Sequence, residues 1–561
     1  MDTLIQRDPF ASGFSFNDFP RLDGTGHDPS DPTLGGVGTR YRQLNPIDYA
    51  DGLFAPAGET RPGAREISNR LMSQTTSIPD PRGLTAMSWI FGQFLNHDID
   101  DARLGTIPFP IEVPPDDPQI NNPAFVAQLG RFTRNAIDPD TGPPFNATPA
   151  AQINQATSWV DASVVYGTSE ERSNAIRSFT GGRLDTSPGN LAPLDDTNLP
   201  NATVPFIPKE EFFLFGDVRG NQQLGLMAMQ TVWLREHNYW ADKLAEAHPD
   251  WTDEQLFQRA RAIVIAEFQA VSYNEYLPAI LGVENVEAYD GFDSTAVAQT
   301  SLTFATGAFR VPHSAVNETF ALVTEDGTVT GEVSLFDGSF DPFFFRQGPD
   351  LVESVLRGAA TTVREKNDPK YVNGLRNSFS DLGAEDIQRG RDHGLPTYNV
   401  LRNVLDRLQP TGRPFPEFTS FSQLTSDPEV IVALQDLYGD INNIDMITGM
   451  LAEELPVDQF GQATSSVGEV TGEILRLTFQ RLRDGDPFYY QNPIETGGIF
   501  TDAEIQELNG TTLADIIRRT SGISNIADNV FVTDTLPLPD PNPSAIGAND
   551  FMAGADSMLL G

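Results

Sequence analysis

Apolar residues recur at three- and four-residue intervals along much of the chain, the period of a helix that buries one face. A short stretch of this kind runs from about Ile67 to Met72, and a stronger one from Leu84 to Ile99. The longest covers Gln222 to Leu281, where "LMAMQTVWLREHNYWADKLAEAH" is followed by Asp250 or Thr252 as a cap for "DEQLFQRARAIVIAEFQAVSYNEYL". Further helices are predicted over 350–365, 397–409, 427–439, 467–483 and 502–519. Strand-like alternation is confined to short runs in "TFALVTEDGTVTGEVSLF". The pattern predicts a mainly α fold with very little β structure.

Between the helical stretches, 107–123 ("IPFPIEVPPDDPQINNP") and 136–150 ("AIDPDTGPPFNATPA") hold too much proline for a regular element and read as loops. Residues 1–40 mix Gly, Pro and Asp and read as an extended N-terminal arm. One large domain is assigned to 41–535. After Val532 the composition turns to Pro, Gly and Asp, and 536–561 reads as a linker and tail. Its last fifteen residues read either as a plain disordered tail or, from one imperfect copy, as the start of a Gly/Asp-rich calcium-binding repeat.

Charge and composition narrow the functions open to such a fold. The net charge of −41, with no basic patch, argues against a nucleic-acid partner. No run approaches the ~20 apolar residues of a membrane span. The start, "MDTLIQRDPFASGFSF", lacks the basic end and apolar run of a signal peptide. With no cysteine, disulfides, thiolate metal sites and thiolate nucleophiles are excluded. Any imidazole chemistry must draw on His27, His97, His237, His248, His313 and His393.

The segment "FGQFLNHDID" (91–100) sets Gln93 and His97 one turn apart, on one helix face. Taken alone, His97 reads more readily as a core histidine with satisfied hydrogen bonds than as a site residue. Four other segments change that reading: "FGDVRGNQQLGLMAMQTVWLREHN" (215–238), "GAFRVPHSAV" (307–316), "IQRGRDHGLPTYNVLR" (387–402) and "TSWVDASVVYGTSEERSNAIR" (157–177). Together, in this order, they closely resemble the haem peroxidase–cyclooxygenase superfamily, the group of myeloperoxidase and peroxidasin. The resemblance extends from about residue 40 to Val532.

The resemblance implies a haem enzyme that reduces hydrogen peroxide through an oxoferryl intermediate and oxidises halides, thiocyanate or phenolic donors. His313 is implied as the iron ligand and Asn399 as the hydrogen-bond partner of its other ring nitrogen. His97 is implied as the general acid–base, Arg219 as the stabiliser of developing negative charge, and Gln93 as the residue positioning water or halide. Arg310 and Arg402 match positions that contact haem propionates. Asp98, with the side-chain oxygens of Thr157, Asp161 and Ser163 and the carbonyl of Trp159, is implied as a calcium site; alternate spacing suits a loop wrapped round a hard cation. His237 and His393 are expected to make structural hydrogen bonds.

The sequence departs from the mammalian pattern at two positions. Asn96 and Gln222 stand where an aspartate and a glutamate tie haem to protein through esters. Amides form no such ester, so haem b is expected to be held non-covalently. Two other readings stay open: a fatty-acid dioxygenase, although Arg310 occupies the position of its radical-bearing tyrosine, and a non-catalytic adhesion protein on the same scaffold. Absence of cysteine suggests a bacterial member. The acidic surface, calcium loop and tail suggest an extracellular protein exported without an N-terminal signal; a cytoplasmic detoxifying enzyme is the alternative.

Overall fold

The computed structural model describes residues 2–533 apart from positions 29, 145, 349 and 409. Its framework is helical. The helices that frame the central cavity and its flanks are α1 (Ala86–Ile99), α2 (Leu224–Ala247), α3 (Asp253–Val271), α4 (Leu351–Thr361), α5 (Leu382–Asp392), α6 (Tyr398–Leu408) and α7 (Glu469–Asp484). There are two two-stranded antiparallel sheets, β1 (Leu104–Pro108) with β2 (Thr133–Asn135), and the hairpin β3 (Thr319–Val323) with β4 (Val329–Ser334). In the second, Thr319 pairs with Ser334 and Leu322 with Gly331, and the register slips before Val323.

Helix α1 is buried on nearly every side, which explains why its sequence is apolar rather than amphipathic. It packs on α2, α4 and the 3-10 segment Ala308–Ala315. The approach to α2 depends on Gly225, where a Cβ would fall 2.5 Å from Ile90 Cδ1. Trp89 Nε1 donates to Asn317 Oδ1 at 3.1 Å, tying α1 to the chain just beyond the 3-10 segment. Helix α3 starts at the expected cap: Thr252 and Gln255 form a reciprocal capping box.

Two expectations need correction. The stretch 502–519 is two helices, Asp502–Asn509 and Leu513–Ser521, because Gly510 ends the first and Thr512 caps the second through Asp515. Residues 1–40 are not an extended arm. They hold a short helix, Asp2–Gln6, and 3-10 turns, because Leu4, Phe19 and His27 insert into the core among the Gly and Pro residues. Helix α5 and the β1–β2 sheet are beyond what the hydrophobic pattern predicts. The tail 536–561, with its calcium-repeat reading, lies outside the described residues.

Candidate active site

A cavity of about 530 Å³ opens between α1, the 3-10 segment Ala308–Ala315 and α5. Both His97 and His313 line it. On α1, helical spacing directs Gln93, Asn96 and His97 to the cavity face, while Asp98 points to the other side.

The α1 wall is fixed by amide and backbone contacts. Gln93 Nε2 donates to Gln222 Oε1 at 2.8 Å, and its Oε1 accepts from Gln223 Nε2 at 3.0 Å. Asn96 Nδ2 donates to Asp100 Oδ2 at 3.3 Å, and Asp100 also accepts from the Tyr41 hydroxyl. Arg219 lines the cavity but is firmly anchored. It donates to the carbonyls of Asp100 (2.9 Å) and His97 (3.2 Å) and to Asp217 Oδ2 (2.9 Å).

His97 Nδ1 lies 3.1 Å from Asp217 Oδ1, without the alignment of a hydrogen bond. Burial, then the neighbouring Arg219 charge, lowers the His97 pKa; Asp217 opposes the shift. Burial alone would raise Asp217, but Arg219 and His97 hold its carboxyl well below the usual range. Burial likewise disfavours the Arg219 cation, and Asp217 more than restores it. The wall thus presents a neutral imidazole beside a permanently charged guanidinium.

The opposite wall has another character. His313 sits in the 3-10 segment directly after Pro312. Its Nδ1 is 2.8 Å from Asp386 Oδ2. Asp386 is fully buried on α5, accepts from Arg310 Nη1 at 3.0 Å and from the Tyr371 hydroxyl at 3.2 Å. Burial would raise its pKa, but His313 and Arg310 hold the carboxyl below its ordinary value. The acceptor on the His313 ring is therefore a carboxylate.

Asn399 does not take that place. On α6 it donates to the Phe418 carbonyl and to Asn442 Oδ1, both at 2.8 Å, and accepts from the Phe418 amide at 3.0 Å. Arg402 is also elsewhere: it donates to the Pro416 carbonyl at 2.8 Å, pairs with Glu469 and stacks 3.7 Å over Phe418. Neither residue lines the cavity. The cations that do, on this side, are Arg310 and Arg389. Asp386 and Arg389 stand three residues apart on α5 and share a face. That spacing was present in "EDIQRGRDHG", and a helix assigned there would have found both.

Behind α1, the expected cation residues do come together. Asp98 accepts from Ser163 Oγ (3.1 Å), the Val164 amide (2.9 Å) and the Asp161 amide (3.1 Å). Thr157 Oγ1 donates to the Trp159 carbonyl at 3.3 Å. Burial raises both carboxyls, Asp98 well above its ordinary value and Asp161 to about 6. Asp161 Oδ2 is buried without a partner. His237, bonded to Tyr166 and the Gly182 carbonyl, and His393, bonded to Thr306, have the structural partners expected of them.

Two histidines thus face one cavity on a helical scaffold. The model of the animal haem peroxidase family matches residues 19–531, and the chain belongs to that family. It is 32% identical to peroxinectin A of Dictyostelium discoideum over 535 residues, which cover 92% of this chain and 96% of that one. It is 33% identical to dual oxidase of Drosophila melanogaster over 589 residues, 98% of this chain but 37% of that protein. Among solved structures, peroxidase A from Dictyostelium discoideum superposes with a TM-score of 0.80 at 31% identity, covering 92% of this chain and 99% of that one. Fatty acid alpha-dioxygenase of Oryza sativa shares the fold, with a TM-score of 0.73 at 20% identity. The chain is a haem peroxidase.

Proposed function

We propose that this protein reduces hydrogen peroxide and oxidises small anionic or aromatic donors, with haem b held without covalent links. The observation that carries the reading is a single cavity bordered by His97 on one wall and by an Asp386-backed His313 on the other. His313 would hold the iron, and Arg310 and Arg389 would face the propionates. Bound haem supplies a redox-active iron with one position open to peroxide.

The chain's own residues supply proton handling. With Nδ1 turned to Asp217, His97 keeps Nε2 for the peroxide: neutral imidazole takes the proton from one oxygen and returns it to the departing one. Arg219 stabilises the negative charge that develops as the O–O bond breaks. Gln93, fixed by Gln222 and Gln223, positions water or a halide beside His97. Reconstitution with haem should yield a Soret band and peroxide-dependent oxidation of iodide or guaiacol. A folded chain that takes up haem and oxidises neither would overturn the reading and favour an adhesion protein. Oxygen uptake with a fatty acid would favour the dioxygenase; Arg310, committed to Asp386 and the Ala305 carbonyl, supports no tyrosyl chemistry at its position.

Asn96 and Gln222 border the cavity as amides, which supports extractable haem. Acid–organic extraction should leave the polypeptide colourless. Asp98, Asp161, Thr157, Ser163 and the Trp159 carbonyl fit a calcium ion: the oxygen set is hard, and the unpartnered Asp161 oxygen wants a cation. Chelation should lower both thermal stability and peroxide turnover, since Asp98 adjoins His97. An extracellular location rests on the acidic surface and this calcium site, and fractionation of producing cells tests it. Among the described residues, no helix is long and apolar enough to cross a membrane.

A further inference from the structure

The wall that carries His313 holds an acid that the chemistry above leaves unused. Glu385 lines the cavity from α5, directly before Asp386 and one turn before Arg389, so it shares a face of the helix with that arginine. Its Oε1 accepts from the Ser380 hydroxyl, on the turn that leads into α5. Its Oε2 has no hydrogen-bond or ion-pair partner among the described residues. The charges on the elements packed round α5 are engaged elsewhere. Arg65 pairs with Asp381, Arg310 and His313 with Asp386, and Arg134 and Arg389 with Asp392, while Arg376 bonds Ser68 and Asn69. Across the cavity stand His97, Asp100, Asp101 and Arg219. Burial pushes the Glu385 carboxyl up to about 7; the Ser380 bond opposes the shift, the Asp386 and Asp381 charges add to it, and Arg389 pulls the other way.

We propose that Glu385 regulates haem retention: as the neutral acid it donates its O–H to a haem carboxylate, and as the anion it repels that carboxylate and loosens the haem. The inference rests on the reading that His313 holds the iron and that Arg310 and Arg389 face the propionates. A propionate drawn to Arg389 would meet Glu385 one turn along the same helix face. Carboxyl groups brought that close do not both ionise cheaply; one keeps its proton and donates it in a charge-assisted hydrogen bond. The unpartnered Oε2 is the oxygen free to do so. Asp386, next in sequence, is not, because it already serves Arg310, His313 and Tyr371. Haem affinity is thereby coupled to pH. The proton is held below about 7, and a bound carboxylate holds it more tightly. Affinity is therefore full below that value and falls as pH rises through it.

The test follows haem loss from the haem-loaded protein to excess apomyoglobin, read at the Soret band between pH 6 and pH 9. Wild-type release should accelerate roughly tenfold across that range, the effect of one ionisation linked to binding. Glu385→Gln keeps a donor and cannot ionise, so its release should stay slow throughout. Glu385→Ala has neither donor nor charge; it should lose haem faster than wild type at pH 6 and show no acceleration above it. Parallel pH profiles in wild type and Glu385→Gln would overturn the assignment, as would equal rates for wild type and Glu385→Ala at pH 6. A normal Soret band in His313→Ala would instead overturn the placement of the iron on which the inference rests.

Discussion

The two histidine-bearing walls of the cavity are built from different material. The His97 wall is an apolar helix on which amides, Gln93 and Asn96, flank the imidazole; its nearest charges, Asp217 and Arg219, come from a loop before α2 and largely neutralise each other. The His313 wall is backed by α5, where Asp386, Arg389, Arg391 and Asp392 are all buried and charged. The first arrangement leaves an imidazole neutral and able to exchange a proton. The second fixes an imidazole against a carboxylate, which orients the ring and raises its basicity as a ligand. Both imidazoles turn Nδ1 to an aspartate, but His97 meets Asp217 at 3.1 Å without hydrogen-bond alignment while His313 is bonded to Asp386 at 2.8 Å, which on the proposed reading separates a proton carrier from a metal ligand.

Removing either histidine should break the comparison most severely, in different ways. His97→Ala should keep the Soret band and slow the reaction with peroxide by roughly 10²- to 10⁴-fold, the usual value of a positioned acid–base group. His313→Ala should instead lose the normal Soret band. Stopped-flow absorbance with peroxide distinguishes the two. Next in size is Asp386→Asn, which keeps a hydrogen-bond acceptor and loses the charge. Turnover or haem affinity should fall roughly 10- to 100-fold, as for other partners of a ligating histidine.

Smaller effects sharpen the assignment of the two arginines. Arg389→Ala should weaken haem binding in a titration of the apoprotein. Arg402→Ala should leave haem affinity alone and lower the melting temperature, since it strands Glu469 and uncovers Phe418. The smallest effect is in pH dependence. Burial and Arg219 push His97 below its ordinary 6.5, so its neutral form persists as pH falls through that value. The peroxide reaction should therefore hold its rate below pH 6.5 and decline only at the lower, folded-state pKa. Asp217→Asn removes an influence that raises that pKa, and should move the acid limb further down. A limb at or above 6.5 in the wild type would contradict this electrostatic balance.

The two walls also differ in how far they could be read from the sequence. Helix α1 announced itself through continuous apolar periodicity, and Gln93, Asn96 and His97 follow from its spacing. Helix α5, "LGAEDIQRGRD", has only Leu382 and Ile387 as large apolar residues, so hydrophobic periodicity is silent there. Its burial is achieved by ion pairs to distant segments, Arg134 with Asp392, Arg310 with Asp386 and Arg391 with Asp445, a long-range arrangement that no local pattern encodes. Without that helix, the resemblance points to α6 and to Asn399 and Arg402, whereas it is Asp386 that bonds His313 and Arg389 that lines the cavity. The meeting of the 157–163 loop with Asp98 was legible because the loop residues lie within seven positions of one another. The N-terminal turns were not, because their anchors, Leu4, Phe19 and His27, are separated by Gly, Pro and Asp.

The central claim is that the carboxylate of Asp386, and not the amide of Asn399, governs the His313 side. The iron reduction potential of the haem-loaded protein tests it most directly, measured for wild type, Asp386→Asn and Asn399→Ala. A carboxylate partner favours the ferric state, so Asp386→Asn should raise the potential while Asn399→Ala leaves it at the wild-type value. An unchanged potential in Asp386→Asn together with a shifted one in Asn399→Ala would contradict the account.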